Sequence, residues 1–352
     1  MTAKIPKVSV FLRSSAKSPG TGEAGKIAVI GAFNTTETNP KLFTSLPSAE
    51  ESFGSDTTFD GCACLPFLFA NGATSLLCVN VTTWSSATPP VPTKTITAEN
   101  LAAALAKIKG EDWDILFVAG VLTDAFITLI DTYLDATFEM KFPAGFIGAL
   151  GGGTDAANIT SAGLAGEHCY GLLTQQLTIN GTSRSVLLSS AYYCGLIAGM
   201  KVNNTMTQKV LPGVTACSPE LSFETAGAGK ALLEAGITTV KCQNRNAGKY
   251  IVVNSEQPNG LDLYVNRGRD YVIKSFALHD FLGERNRPAT LSEIKQEVDR
   301  VKDHCIKAID LLTDIEYTVE KVDAQTVDIN IQKLVFDGLI TDINVYVTVV
   351  VA

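Results

Sequence analysis

Residues 342–352 carry the sequence pattern that most constrains how this chain can fold. They read DINVYVTVVVA, in which Ile343, Val345, Val347 and Val349 alternate with the residues between them. That period of two, filled with β-branched and aromatic residues, predicts a β-strand. Because an apolar strand at a chain end offers unpaired N–H and C=O groups, it either enters its own sheet or adds to the sheet of another chain.

A second short strand is predicted near the other end of the sequence. Val8, Val10 and Leu12 alternate in KVSVFLRS, and a stretch rich in Lys, Ser, Pro and Gly follows as a flexible tether. Two strands at opposite ends of a chain, one of them tethered, favour exchange between chains. We therefore predict extended β-arms at 1–18 and 341–352.

Composition and charge argue against several classes of protein. The chain has 352 residues, of which 46% are hydrophobic, so it is long enough for two domains with full cores. Its net charge of −8 argues against nucleic-acid binding, which usually requires a basic face. The N-terminal residues lack the apolar core of a signal peptide, and the most apolar run, 186–200, is too short to span a bilayer. We expect synthesis in the cytoplasm and no membrane insertion.

The eight cysteines are predicted to be small buried side chains. Most stand in apolar surroundings, such as the run SLLCVNV around Cys78. Cys62 and Cys64 form CxC, which lacks the CxxC spacing of zinc sites, and the three histidines are scattered. We expect no metal and no cofactor.

Strands that alternate with helices over residues 19–250 predict an α/β domain with parallel strands. The Thr-, Ser- and Pro-rich stretch 82–100 is predicted to be a surface loop. The predicted strands are 25–34, 75–81, 114–121, 144–150, 185–189 and 237–242, and the predicted helices include 101–108, 125–137, 190–200 and 226–235.

From residue 251 the pattern changes, and residues 251–340 are predicted to form a separate α+β domain. Two helices at about 267–281 and 291–312 precede strands at 315–322 and 326–333. Together with the terminal strand, these elements predict two helices on an antiparallel sheet.

The second of these helices has the most regular periodicity in the chain. Apolar residues recur at a period of 3.6 from Leu291 to Leu312, and the opposite face is polar and includes Arg300 and Lys307. Thr290 and Glu293 fit a capping box at its start.

No motif in the sequence indicates catalysis. GALGGGTD at 148–155 follows a predicted strand but lacks the Lys-Ser/Thr of a P-loop and the GxGxxG spacing, so we interpret it as a loop that needs positive φ angles. Ser189 and Ser190 beside Tyr192 and Tyr193 have no histidine near them in the sequence.

The order of these segments resembles the tail sheath protein family of contractile phage tails and related contractile injection particles such as R-type bacteriocins. VSVFLRS followed by GKIAVIGAFN is similar to the family's N-terminal arm and first strand. Three further stretches resemble family segments in the same order: SFGSDTTFDGCACLPFLFANGATSLLCVNV, SSAYYCGLIAGM and EAGITTVKC. The stretch from LYVNRGRDYVIKSF through TVDINIQK to the terminal strand resembles the family's most recognisable part.

This resemblance implies a structural subunit rather than an enzyme. It implies a helical homopolymer of hexameric discs around a tail tube, with baseplate and tail terminator proteins as further partners. The α/β domain would face outward, the C-terminal domain would lie against the tube, and the arms would be exchanged between neighbouring subunits. Contraction would drive the tube through a target cell envelope, and the particle would be a virion tail or a bacteriocin. Within this arrangement we place Arg300 and Lys307 on the tube-facing side.

Two other classes remain open at the level of sequence. One is a cytosolic α/β enzyme with an unrecognised site. The other is a shell or tube protein of a different particle, although tubes are usually built from shorter chains that are mostly β. The sequence does not distinguish a phage from a bacteriocin.

Overall fold

The computed structural model describes residues 25–139, 143–151, 153–224, 227–244, 248–276, 288–321 and 327–337. The predicted arm strands, with Val8, Val10, Leu12, Ile343, Val345, Val347 and Val349, lie outside these residues. The chain divides into two compact units, Met1–Ala277 and Leu278–Ala352.

The elements of the first unit follow one another as strands and helices, as the sequence pattern indicates. The strands are β1 (Lys26–Gly31), β2 (Lys41–Phe43), β3 (Ser75–Asn80), β4 (Thr83–Trp84), β5 (Pro92–Thr93), β6 (Ile115–Leu122), β7 (Gly145–Leu150), β8 (Cys169–Leu173), β9 (Gln176–Ile179), β10 (Thr182–Ser183), β11 (Val214–Ser218), β12 (Val240–Asn244) and β13 (Lys249–Val252). The helices are α1 (Leu46–Phe53), α2 (Asp60–Ala70), α3 (Ala98–Lys107), α4 (Asp124–Glu139), α5 (Asp155–Ala162), α6 (Val186–Gly199), α7 (Ala228–Glu234) and α8 (Leu263–Phe276).

A six-stranded sheet forms the centre of this unit, in the order β2-β3-β1-β6-β7-β8. All neighbouring strands pair in parallel except the short edge strand β2, which is antiparallel to β3. The apolar runs of β1, β3 and β7 do not alternate with polar residues because both faces of the sheet are covered. The predicted mixed α/β fold is confirmed.

Two layers of helices cover the sheet, and the residues of β1 alternate between them. Ala28 and Ile30 join the core that includes side chains of α3, α4, α5 and α7. Ile27 and Val29 join the core that includes side chains of α1, α2 and α6. Each layer therefore buries one side of the same strands, which is the arrangement that parallel crossovers produce.

The strand predicted near 185–189 is wrong, because these residues begin the helix α6. The side chain of Ser185 accepts a hydrogen bond from the backbone N–H of Leu188 over 3.3 Å, which caps the helix. Nearly every side of α6 is buried, so its sequence lacks the periodicity that distinguishes a helix from a strand.

The helix α8 belongs to the first unit, whereas the predicted boundary at 250 separated it from that unit. Lys274 donates hydrogen bonds to Asp114 Oδ1 over 2.6 Å and to the carbonyl of Trp113 over 2.8 Å. The hydroxyl of Tyr170 on β8 donates to Asp270 Oδ2 over 2.7 Å. These contacts fix the second half of α8 to the first unit, so the division falls after this helix.

The second unit consists of one helix and one hairpin among its described residues. Helix α9 (Pro288–Asp303) continues into a π-helical turn, His304–Ala308, and the antiparallel strands β14 (Asp314–Lys321) and β15 (Val327–Val335) follow. The predicted strands at 315–322 and 326–333 are confirmed. The predicted capping box is wrong, because Thr290 lies within the first turn of α9.

Candidate functional site

The hairpin of the second unit is built as an incomplete sheet. Helix α9 packs against β14, where Ile315 and Val319 are buried. The two strands form a two-stranded sheet, so each has one edge without a strand partner among the described residues. An isolated two-stranded sheet is at best marginally stable in water.

The strand β15 carries apolar side chains that its own unit only half covers. Val327, Ile329, Ile331 and Leu334 are all half-buried, and no residue of β15 is fully buried. On β14, Lys302 already donates to the carbonyl of Ile315 over 2.7 Å. Among the described residues, β15 therefore has both a half-buried apolar surface and an edge without a strand partner.

The two residues predicted to face a tail tube are paired within their own helix. Arg300 donates from Nε to Glu297 Oε2 over 2.8 Å, and Lys307 Nζ lies 2.9 Å from Asp303 Oδ2. The hydrogen bond from Arg300 lowers the pKa of the Glu297 carboxyl. Both cations remain exposed, at 49% and 70% of the side chain.

The π-helical turn changes the direction of Lys307. A π-turn takes more residues per turn than an α-helix, so Lys307 does not lie directly beneath Arg300 as the predicted continuous α-helix requires. The structure thus places both residues on exposed surface of one helix but not in one straight row.

The serines that the sequence places beside two tyrosines are structural. Ser189 and Ser190 are fully buried, and each hydroxyl donates over 2.9 Å to a backbone carbonyl one turn earlier in α6. The hydroxyl of Tyr192 donates to the carbonyl of Pro212 over 2.6 Å. A substrate has no access to these hydroxyls.

The glycine-rich loop contains a residue with a positive φ angle, Gly153, whose φ is 74°. The next residue, Thr154, caps α5 by accepting from the backbone N–H of Ala157 over 3.2 Å. Asp155 follows in the first turn of α5 and carries a negative charge, which disfavours a phosphate at this position.

The cysteines are buried thiols among apolar side chains. All eight are free, and seven of them are buried. Burial raises the pKa of the Cys62 and Cys64 thiols, so both remain protonated at neutral pH. Among the described residues, no group of three or more His, Cys, Asp or Glu side chains is arranged to hold a metal ion.

The charged cluster that anchors α8 is a feature that sequence analysis missed. Arg269 bridges Asp270 Oδ1 and Glu167 Oε2, each over 3.0 Å, and Arg267 donates to the carbonyl of Met200 over 3.2 Å. Burial raises the pKa of Tyr170, which donates to Asp270, and burial lowers the pKa of Arg267. In the sequence these residues look like a solvated helix face, because their partners lie about a hundred positions away.

Comparisons with known proteins agree with this architecture. Residues 94–254 match the family model described as the phage tail sheath protein central domain. No curated protein sequence matches the chain. Helices that could span a membrane are not found in the described part of the chain.

Solved structures of sheath proteins share the fold. A sheath tail protein from Desulfitobacterium hafniense is 11% identical, with a TM-score of 0.69 over 93% of this chain and 98% of that chain. A sheath tail protein from Listeria innocua is also 11% identical, with a TM-score of 0.63 over 90% of this chain and 96% of that chain. The helical sheath of the anti-feeding prophage in its contracted state is 14% identical, with a TM-score of 0.66 over 98% of this chain and 99% of that chain.

Residues 94–254 match the model of the phage tail sheath protein central domain, and the fold is shared with solved sheath tail proteins, so the family resemblance in the sequence is confirmed.

Proposed function

We propose that this chain is the repeating subunit of a contractile sheath that polymerises helically around a tail tube and drives the tube through a target envelope. The observation that carries this proposal is the two-stranded hairpin, because one edge of β15 pairs with no strand among the described residues and its apolar side chains are half-buried. The likeness to the contracted helical sheath of the anti-feeding prophage supports the same conclusion.

The strands predicted at the two chain ends are the segments proposed to complete this hairpin in neighbouring subunits. A strand of about eight residues adds roughly five to eight ladder hydrogen bonds, each worth about 0.5–1.5 kcal/mol net. Because the arm and the hairpin belong to different chains in this proposal, their pairing stabilises the polymer and contributes little to the free subunit.

The partners follow from the same proposal. The chain assembles with copies of itself, and a tube protein, baseplate and tail terminator complete the particle, which is released from the bacterial host that made it. Contraction requires two packings of the same subunits, with arms that stay paired while the bodies move. The 251–340 region supplies the tube-facing surface, and catalysis has no part in this function.

Deletion of residues 342–352 tests the exchanged arm. The truncated chain is expected to melt cooperatively as a monomer and to form no sheath, as seen by circular dichroism, size-exclusion chromatography and negative-stain microscopy. If the strand belongs to its own subunit's sheet, the same deletion removes a core strand and the chain aggregates or unfolds.

A matched pair of variants tests whether sheath formation depends on the apolar face of this strand or on its opposite face. Val345→Asp with Val347→Asp places two charges among the apolar residues and is expected to abolish sheath formation. Asn344→Asp with Thr348→Asp adds the same charge to the opposite side and is expected to leave sheaths intact. Equal loss of assembly in both variants would show that charge alone, and not the apolar side, decides the result.

A further inference from the structure

A groove of about 340 Å³ lies between α3 and α4, on the outer side of one helix layer. Small and apolar side chains line it, and three of them are exposed alanines: Ala102, Ala106 and Ala136. The ring of Tyr133 lies in the groove and stacks on the buried ring of Trp113, with centroids 6.4 Å apart. Apolar, aromatic-lined concavities of this size are typical binding sites.

The groove is not completed by the described residues of its own chain. The hydroxyl of Tyr133 is buried and has no hydrogen-bond partner among them. Lys109 is the one charged side chain that lines the groove. An uncharged segment with spare carbonyl groups therefore suits this surface better than a charged one.

A protruding loop with those properties exists on the same unit. Residues 85–91, between β4 and β5, are all exposed, and no charged residue occurs from 82 to 93. The loop is held at its base, because the backbone N–H of Ser85 donates to the carbonyl of Val91 over 2.9 Å and the N–H of Val91 donates to Ser85 Oγ over 3.0 Å. Val91 is 59% exposed at this point.

Proline makes this loop suited to an aromatic-lined groove. Pro89 and Pro90 have no backbone N–H, so burying them leaves no backbone donor without a partner. The rings also fix φ at both prolines, so the loop loses little conformational entropy when it docks.

The loop and the groove lie at opposite edges of the unit. The loop follows β3 at the carboxyl edge of the parallel strands, where Trp84 Nε1 donates to the carbonyl of Thr35 over 2.9 Å. Helices α3 and α4 both run from that edge back to the amino edge, and the groove is formed by the later turns of both helices. A projection at one edge and a pocket at the other edge are different patches of the same unit, so a head-to-tail contact between two copies leaves a free projection and a free pocket for further copies.

We infer that Pro89, Pro90 and Val91 of one copy of this chain insert into the α3–α4 groove of the next copy, forming a head-to-tail contact between α/β units. This inference rests on the proposed function, since it describes how sheath subunits touch. The contact is separate from the exchanged strands and involves different residues. It is too small to hold two subunits together alone, so it acts within a polymer.

Opposite charges placed on the two surfaces test the contact directly. Val91→Lys and Ala106→Glu are each expected to raise the critical concentration for polymerisation by about tenfold or more, because each places one charge in an uncharged contact. The double variant is expected to return to within about threefold of the unchanged chain, since the two charges then face each other. Leu42→Lys is the matched control, because Leu42 is also 59% exposed but lies on the edge strand β2.

Polymer formation is measured by sedimentation at increasing protein concentration. The thermal midpoint of each free subunit is measured as well, and this midpoint should not change in any variant. If the unchanged chain never polymerises, both the proposed function and this contact are overturned. If it polymerises and both single variants do so at the same concentration, only the contact is overturned. Loss of assembly in the singles without recovery in the double variant also rejects direct contact between these residues.

Discussion

The central sheet and the C-terminal hairpin are both built from β-strands, yet they relate to solvent in opposite ways. In β1, the residues from Ile27 to Gly31 are buried, and helices cover both faces of the sheet. In β15, no residue is fully buried, and one edge pairs with no other strand in the described chain. Both faces of the central sheet are covered by helices of the same unit, whereas the hairpin has two strands among the described residues.

For the proposed sheath subunit, this difference separates the region that stabilises the folded chain from the region proposed to join neighbouring chains. A sheet buried on both faces gains its free energy of folding from apolar burial within one chain. A hairpin that is half covered gains more from pairing with another chain than from its own fold. Substitutions in the two regions should therefore separate subunit stability from polymer stability.

The largest expected effect comes from one substitution in each region. Phe117 on β6 is fully buried, so Phe117→Ala should lower the free energy of unfolding of the subunit by about 3–5 kcal/mol. Ile331 on β15 is half-buried, so Ile331→Ala should cost the free subunit about 1 kcal/mol or less but raise the critical concentration for polymerisation.

Denaturant unfolding of the subunit and sedimentation of the polymer measure the two quantities separately. The comparison fails if Ile331→Ala destabilises the free subunit as strongly as Phe117→Ala does. It also fails if Ile331→Ala leaves polymerisation unchanged.

An intermediate effect is expected where α8 is fixed to the sheet. Tyr170→Phe removes the hydroxyl that donates to Asp270 Oδ2 and leaves a buried carboxylate with one partner fewer. The expected loss is about 1–3 kcal/mol of subunit stability. Tyr133→Phe, which removes a buried hydroxyl without a hydrogen-bond partner among the described residues, is the control for removing a tyrosine hydroxyl in general. A loss no larger than that of the control would mean that the Tyr170–Asp270 hydrogen bond contributes nothing to subunit stability.

The sequence predicts the parts of this fold whose determinants are local. The glycine-flanked apolar runs at β1, β3 and β7 are recognisable because strand length and composition suffice. The apolar row on α9 and the two strands of the hairpin are recognisable from their periods of 3.6 and two.

The remaining features depend on contacts between distant residues, which no local pattern encodes. The start of α6 was mistaken for a strand because a helix buried on all sides has no polar face. The position of α8 depends on contacts of Arg269, Asp270 and Lys274 with residues 100 to 160 positions away in the sequence. The α3–α4 groove likewise exists only after the two helices pack against each other.

The smallest effect on subunit stability is expected at the residues predicted to face the tube. Arg300→Glu with Lys307→Glu alone would place like charges beside Glu297 and Asp303, which weakens the helix by about 0.2–0.5 kcal/mol for each pair. Reversing both ion pairs avoids this repulsion between like charges. The reversed variant combines Glu297→Arg with Arg300→Glu, and Asp303→Lys with Lys307→Glu. Exposed pairs contribute about 0–1 kcal/mol, so the reversed variant should melt close to the unchanged chain.

The reversed variant separates subunit stability from binding to the tube, because it changes the pattern of surface charge without changing the net charge. If α9 lies against the tube, sheaths of this variant should form but should no longer decorate purified tubes in negative-stain images. The control reverses the Lys230–Glu234 pair on α7, whose charged atoms are 3.6 Å apart on the first unit, and should decorate tubes normally.

Because Arg300 lowers the pKa of Glu297, the original pair stabilises the helix above the ordinary pKa of a glutamate and loses that contribution as the pH falls. Tube binding by the unchanged chain should therefore be compared with the variant at neutral pH, where both arrangements are fully charged, and normal decoration by the reversed variant would remove α9 from the tube interface.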